Sequence, residues 1–157
     1  MDVELPLKKL PTPEEIDAEL KACGDRVTRE RLTRKRGIRR MFGGGATGRR
    51  SVWVWRLGDA FVVGQADEAY SLFQTELRRL FPDHPIAVMN LVNGACGYLA
   101  PRELYDQDIY QVWQSPFERG CLERVLAACG QAIRKLSAPE NENTQADSSA
   151  KQGSVRS

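Results

Sequence analysis

The hydrophobic period changes repeatedly between Ser51 and Val92, and that alternation narrows the folds open to this chain. Ser51-Val-Trp-Val-Trp-Arg56 alternates and is rich in β-formers, so it reads as a strand. Gly58-Asp59 reads as a turn, and Ala60-Phe-Val-Val63 as a short buried strand, so the two make a hairpin. From Asp67 to Phe81 the period becomes helical, with Leu72, Phe73, Leu77 and Leu80 as the apolar stripe and Glu76, Arg78 and Arg79 facing water. Pro82-Asp83-His84-Pro85 ends that helix. Ile86 to Val92 is then an unbroken apolar strand, as expected inside a sheet covered on both faces. Strand, helix and strand in this order predict an α/β fold: a partial layered domain with a strand-helix-strand core and flanking helices.

The flanks carry their own signals. Thr12-Pro13-Glu14-Glu15 is a helix start, with Thr12 as cap, Pro13 in the first turn and Glu15 at the capping-box position. Ile16, Leu20 and Cys23 follow on one face. A second, very basic helix is expected from about Val27 to Met41, weakened by Gly37, and Gly43-Gly44-Gly45 and Gly48 break the chain. Beyond the central strand, Asn93 to Tyr98 is a loop, Pro101 to about Tyr105 a short helix and Gln111-Val-Trp113 a short edge strand. A last helix buries Leu122, Val125, Leu126, Cys129, Ile133 and Leu136. The polar stretch after Leu136 reads as a disordered tail. The expected organisation is thus 1–50, a helical basic segment with a Gly-rich connector; 51–136, the α/β segment; and 137–157, the tail.

With 157 residues, 41% of them hydrophobic, the chain suits one domain with one modest core. It has no apolar run near the roughly 20 residues a membrane helix needs and no signal-peptide pattern, which predicts a cytoplasmic location. The net charge is +2, unevenly distributed. Residues 26–50 hold ten Lys/Arg against one acid, Glu30, so the remainder holds 13 basic and 20 acidic residues, a net of −7. This segment could dock on an acidic partner, a nucleic acid or a membrane. It lacks interleaved aromatics and any recognised nucleic-acid motif, which argues against nucleic acid and for a solvated helix or one lying against an acidic surface.

Other motifs carry less. GGGATGRR at 43–50 lacks the Lys-Ser/Thr that follows a phosphate loop's last glycine, and it joins a helix to a strand rather than the reverse, so it reads as a connector. Cys23, Cys96, Cys121 and Cys129 form no CxxC pair and read as small buried thiols. His84, the only histidine, cannot supply the two or three imidazoles of a usual catalytic zinc site. Glu68 follows a buried strand and is expected to open a helix, while Tyr98 lies just past the next strand. If those strands are neighbours, both side chains can reach one crevice. Read blandly, Glu68 is a helix-dipole acid and Tyr98 a rim aromatic.

Two stretches, VWRLGDAFVVGQADEAYSLFQTELR and LVNGACGYLAPRELYDQDIYQVWQSPFERGCLERVLAA, together resemble the C-terminal part of the catalytic domain of neutral, non-lysosomal ceramidases. The resemblance covers about Ser51 to Leu136 and rests on the order and spacing of several blocks. It implies a zinc-dependent amidase that cleaves N-acyl bonds, with lipid substrates in the best-known members. By motif position it implies Glu68 and Tyr98 as zinc ligands and Tyr110, in DQDIY, as the phenol that stabilises the oxyanion. Zinc lowers the pKa of a bound water to roughly 7 and polarises a carbonyl, and a phenol aimed at the oxyanion is worth roughly 3 kcal/mol of barrier. The family's two zinc histidines have no counterpart here, and Gln65-Ala66-Asp67 stands where the family has a small-Pro-Gly turn. Catalytic sites normally present three or more protein ligands. The expectation is therefore half a site, inactive alone, that takes up zinc only if a chain carrying the N-terminal half supplies the histidines. The alternative is a non-catalytic binding module that uses residues 26–50. A third expectation is a relic without activity, whose exposed sheet edge favours self-association.

Overall fold

A computed structural model describes residues 1–138. Its backbone follows the hairpin signal in the sequence. β2 (Thr47–Leu57) and β3 (Ala60–Gln65) pair antiparallel through the turn at Gly58, with Val54 opposite Val63. α3 (Leu72–Leu80) then crosses over, and β5 (Ile86–Met89) returns parallel to β3, Phe61 opposite Ile86. The α/β unit expected from the period change is present. β1 (Asp2–Pro6) adds to the outside of β2, giving a mixed four-stranded sheet in the order β1-β2-β3-β5.

One face of that sheet is the core. Leu5, Val52, Phe61, Val63 and Ile86 point to the same side and are buried. α3 and α5 (Cys121–Ser137) cover them with Phe73, Leu77, Leu122, Val125, Cys129 and Ile133. Full burial of such side chains contributes roughly 1.5–3 kcal/mol each. α5 runs as expected, except that Leu136 ends up 39% exposed in its last turn. There the Arg56 guanidinium donates to the Leu136 carbonyl, a cation at a helix C-terminus.

The N-terminal helices form a hairpin. α1 (Pro13–Ala22) starts with the expected capping box: the Thr12 amide donates to Glu15 Oε2 at 2.7 Å and the Glu15 amide to Thr12 Oγ1 at 3.2 Å. α2 (Arg26–Phe42) is capped by Asp25, whose carboxylate accepts from the Thr28 amide at 2.7 Å, and it continues through Gly37. Ile16 and Leu32 are the buried residues of the pair.

Several expectations need correction. Residues 1–50 are not wholly helical: β1 lies in the same sheet as β2, and β2 itself begins at Thr47, so the expected boundary at 50/51 falls inside a strand. Gly48 does not break the chain. It pairs with Leu5, and a Cβ there would come within 2.5 Å of the Phe42 ring. The central strand is shorter than its apolar run and lies at the sheet edge, uncovered on one side, because Leu91 and Asn93 take positive φ (62° and 52°) and turn the chain away. Gln111-Val-Trp113 is helical, within α4 (Tyr110–Gln114), which follows a 3₁₀ turn at Arg102–Asp106. The expected tail lies, beyond Ala138, outside the described residues. Cys96, Cys121 and Cys129 are buried and Cys23 is half-buried, close to the bland reading; burial pushes the thiols up, to about 11 for Cys121 and about 12 for Cys129. No helix among the described residues is long and apolar enough to cross a membrane.

The α3 stripe is narrower than its sequence suggests, since Leu77 is fully buried but Leu80 is 42% exposed. Leu77→Ala is therefore expected to lower the unfolding free energy by about 3 kcal/mol, and Leu80→Ala by about 0.5 kcal/mol. Urea unfolding of the two variants beside the wild type measures both.

Candidate functional site

The carboxyl ends of β3 and β5 lead into two loops, residues 65–69 and 90–97, and these loops build the site. Ligand sites of open α/β sheets sit at such strand ends. Between the loops runs a short parallel ladder, β4 (Glu68–Ala69) with β6 (Tyr98–Leu99), in which Glu68 lies directly opposite Tyr98. The Glu68 amide donates to the Gly97 carbonyl at 3.1 Å and the Tyr70 amide to the Leu99 carbonyl at 3.1 Å. Glu68 therefore does not open a helix; it sits in this ladder, and α3 begins four residues later.

Tyr110, the first residue of α4, completes the cluster. Its ring meets the Tyr98 ring edge to face at 6.0 Å. Its hydroxyl accepts from Arg34 Nη1 at 3.2 Å and from Gln114 Nε2 at 3.1 Å. Arg34 is itself held by Glu30 at 2.7 Å. Gly97 makes the close approach between the Tyr98 loop and α4 feasible. Its φ is 143°, and a Cβ would lie 2.6 Å from the Gln114 carbonyl oxygen. The three side chains named from the sequence are thus brought together, beside a cleft of about 370 Å³ lined by Glu68, Cys96, Tyr98, Gln114 and residues of α2.

The electrostatics favour a neutral Tyr98. Loss of solvent and then the adjacent Glu68 carboxylate raise the phenol's pKa above its ordinary value, against a smaller opposing pull from Arg34. Glu68 is exposed and lines the cleft, whereas the exposed Tyr110 ring stands outside it and lines a smaller neighbouring hollow with Glu30, Arg31 and Arg34.

Sequence reasoning missed the residues that support this cluster. Asp67 is fully buried and receives both arms of Arg50, Nε to Oδ2 at 2.8 Å and Nη2 to Oδ1 at 2.7 Å. Burial alone would lower the Arg50 pKa, but the Asp67 carboxylate more than offsets this and raises it. The same carboxylate accepts from the Cys96 amide at 3.2 Å and the Cys96 thiol at 3.0 Å, and burial followed by this negative neighbour pushes the thiol's pKa far up. The Gln65 side chain folds over the turn: its Oε1 accepts from the Asp67 amide at 2.8 Å, and its Nε2 donates to the Asp67 carbonyl and to Asn90 Oδ1. Asn90 Nδ2 donates in turn to the Ala69 carbonyl at 2.9 Å. This network replaces the small-Pro-Gly turn that the resemblance leads one to expect. The one signal available in sequence was an aspartate set directly after a buried strand, which must find a cation if it too is buried.

Two oxygen donors side by side do not hold a catalytic zinc. Among the described residues no group of three His, Cys, Asp or Glu could complete the set. His84 lies at the other end of the strands, its ring packed edge to face on Phe61 at 5.1 Å and its Nδ1 2.9 Å from the Asp59 carbonyl. The described residues by themselves therefore do not fit the metal.

Asp67→Asn leaves the Arg50 cation buried beside a neutral group, and it is expected to cost about 3 kcal/mol in urea unfolding, part of which Arg50→Met should restore in the double variant. For Tyr98, ring-carbon NMR against pH should give a pKa above the ordinary phenol value of about 10, and Glu68→Gln should move it down toward that value.

No family model, no curated protein and no solved structure matches this chain, so the functional reading rests on the residues themselves.

Proposed function

We propose that this chain is the C-terminal portion of a ceramidase-like, zinc-dependent amidohydrolase and contributes one half of its active site. The observation that carries the reading is the pairing of Glu68 with Tyr98 across a two-residue ladder, with the Tyr110 ring 6.0 Å from the Tyr98 ring. These are the three residues that the resemblance singles out, and they are separated by 30 and 12 positions in sequence. In this reading Glu68 and Tyr98 would be metal donors, and zinc would supply the Lewis acid for amide hydrolysis once histidines from outside these residues complete its shell. Tyr110, whose ring meets that of Tyr98, would be the phenol that the resemblance assigns to the oxyanion. Its hydroxyl already accepts from Arg34 and Gln114, which leaves its own proton free to point at a developing oxyanion. The substrate would be an N-acyl amide of the lipid type, and the setting cytoplasmic. No helix among the described residues can cross a membrane, in keeping with that setting.

The other reading, a binding module built on residues 26–50, has less behind it. Several of its cations already serve the fold. Arg50 pairs with Asp67, Arg36 with Asp17 at 3.1 Å, and Arg34 with Glu30 and Tyr110. Arg31 and Lys35 lie over the Trp113 ring at 4.5 and 5.5 Å.

The test is zinc content after dialysis, for the chain alone and mixed with the histidine-bearing N-terminal half of a ceramidase-like hydrolase. The expected result is almost no zinc alone. Mixed, the expectation is one zinc with N-acyl amidase activity, which Glu68→Ala abolishes and Tyr110→Phe lowers about 100-fold in kcat. Failure of the mixture to hydrolyse any N-acyl amide would sink the reading, and a full zinc equivalent on the chain alone would show that it completes the site itself.

A further inference from the structure

A second cleft, of about 350 Å³, is bounded by the segment after β1, by α2 and by α4. That volume suits a small organic ligand. The cleft shares Ile38 and Gln114 with that of the candidate site, but Glu68, Tyr98 and Tyr110 do not line it. Its charged lining is Lys8, Lys9 and Lys35 against Asp108, three cations less one acid, a net of +2. Leu10, Ile38, Ile109 and Trp113 give it apolar walls.

Lys8 is the cation that the fold fixes most firmly. Its amide donates to the Pro116 carbonyl at 2.8 Å. The residue before it, Leu7, donates to the Ala46 carbonyl at 2.9 Å and bridges to Phe117. The half-buried Lys8 ammonium donates to the Val112 carbonyl and lies 5.1 Å from the centre of the Tyr105 ring. Both partners are neutral. Among the described residues no carboxylate forms an ion pair with Lys8, Lys9 or Lys35. Loss of solvent lowers the Lys8 pKa, and the field of Glu118 offsets only part of this. Partly buried arginines of the same region are treated differently: Arg50 has Asp67 and Arg36 has Asp17. A cation withdrawn from water is costly until an anion meets it. One of the three Lys8 N–H groups serves Val112, which leaves two to donate, and the cleft that Lys8 lines is where an anion can enter.

The lining also limits which anion fits. It holds no arginine, so the planar fork that grips a phosphate in two places is absent from it. Lysines act as point charges, and the apolar walls favour a body that carries no further charge. Lys35 lies 5.5 Å from the centre of the Trp113 ring, so a second ammonium stands beside one of those walls. A single carboxylate on a compact, ring-sized apolar body meets these conditions.

We propose that this cleft is a binding site for a small apolar monocarboxylate, whose carboxylate pairs with the Lys8 ammonium while its body lies against Leu10, Ile38 and Trp113. The site stands apart from the function proposed above, because it uses none of the three residues on which that function depends.

The experiment is calorimetric titration of the full chain with cinnamate, with its neutral isostere cinnamamide and with inorganic phosphate. Indole N–H signals of the three tryptophans, followed by NMR, locate the ligand. One cinnamate per chain is expected, moving the Trp113 signal and leaving those of Trp53 and Trp55 in place. Cinnamamide should bind about 10-fold more weakly, and phosphate more weakly still. Lys8→Met should weaken cinnamate about 10-fold and leave cinnamamide unchanged, because it removes one charge-assisted hydrogen bond. Its urea midpoint should be no lower than the wild type's, since the apolar stem is kept and the Ser115 amide still serves the Val112 carbonyl at 3.3 Å. Lys35→Met is a second variant, expected to weaken cinnamate to a smaller extent. Equal binding of cinnamate and cinnamamide overturns the carboxylate site, as does wild-type cinnamate binding by both lysine variants. A shift of Trp53 or Trp55 in place of Trp113 puts the ligand on the sheet and overturns it too. Phosphate binding tighter than cinnamate assigns the cleft to an inorganic anion and overturns the monocarboxylate, and no binding of any probe overturns the site.

Discussion

A carboxylate cannot be taken out of water without a partner, and the loop geometry at the head of this sheet follows from that constraint. Asp67 has no solvent exposure. Arg50, near the start of β2, reaches it with two hydrogen bonds. Because the same carboxylate holds the Cys96 amide, the two loops beyond β3 and β5 are tied to each other and to the adjacent strand. Gln65 and Asn90 close the remaining backbone groups of the turn. A buried pair of this type adds little net stability over an apolar replacement. What it does here is allow one arrangement: Glu68, the next residue, is delivered opposite Tyr98.

Patterns with many repeats were legible in the sequence. The two-residue period of Ser51–Arg56, the stripe of α3 and the buried face of α5 each repeat a signal several times over. The capping box at Thr12 was legible because all its partners lie within four residues. What failed was decided by distant partners. Asp2–Pro6 has a weak strand signal, and it becomes a strand because β2 offers it a ladder some 45 residues later. Glu68 and Tyr70 carry a helical period on their C-terminal side, but their amides find carbonyls at Gly97 and Leu99. Gln111-Val-Trp113 has strand composition, yet Trp113 donates to Ile109 and Trp113 itself lies under Arg31 and Lys35 of α2.

The same division runs through the site. Glu68 and Tyr98 could be picked out by their places at the ends of two strands, and Tyr110 only by what the resemblance implies. Their supporting residues could not, because Arg50 was one of ten cations in a basic run and nothing local separates it from the others. That run had looked like surplus charge. Part of it is instead taken up inside the molecule: Arg50 pairs with Asp67, Arg36 with Asp17, and Arg34, the one cation among the α2 residues lining the cleft, donates to the hydroxyl of Tyr110. An excess of charge in sequence is therefore a weak guide to external partners when acids and aromatics elsewhere in the chain can take it up.

On the proposed reading, the preformed state of the three side chains bears on how half a metal site would be useful. A site on a flexible loop loses conformational freedom each time it binds, and that loss is subtracted from the affinity. Here the backbone ladder, the Asp67–Arg50 pair and the Arg34 and Gln114 bonds to Tyr110 place the side chains while the cleft is still open. On that reading two donors so placed would still bind zinc weakly, because coordination energy grows with each ligand added to the shell. A partner that brings two more meets donors already in register, so little further ordering opposes assembly.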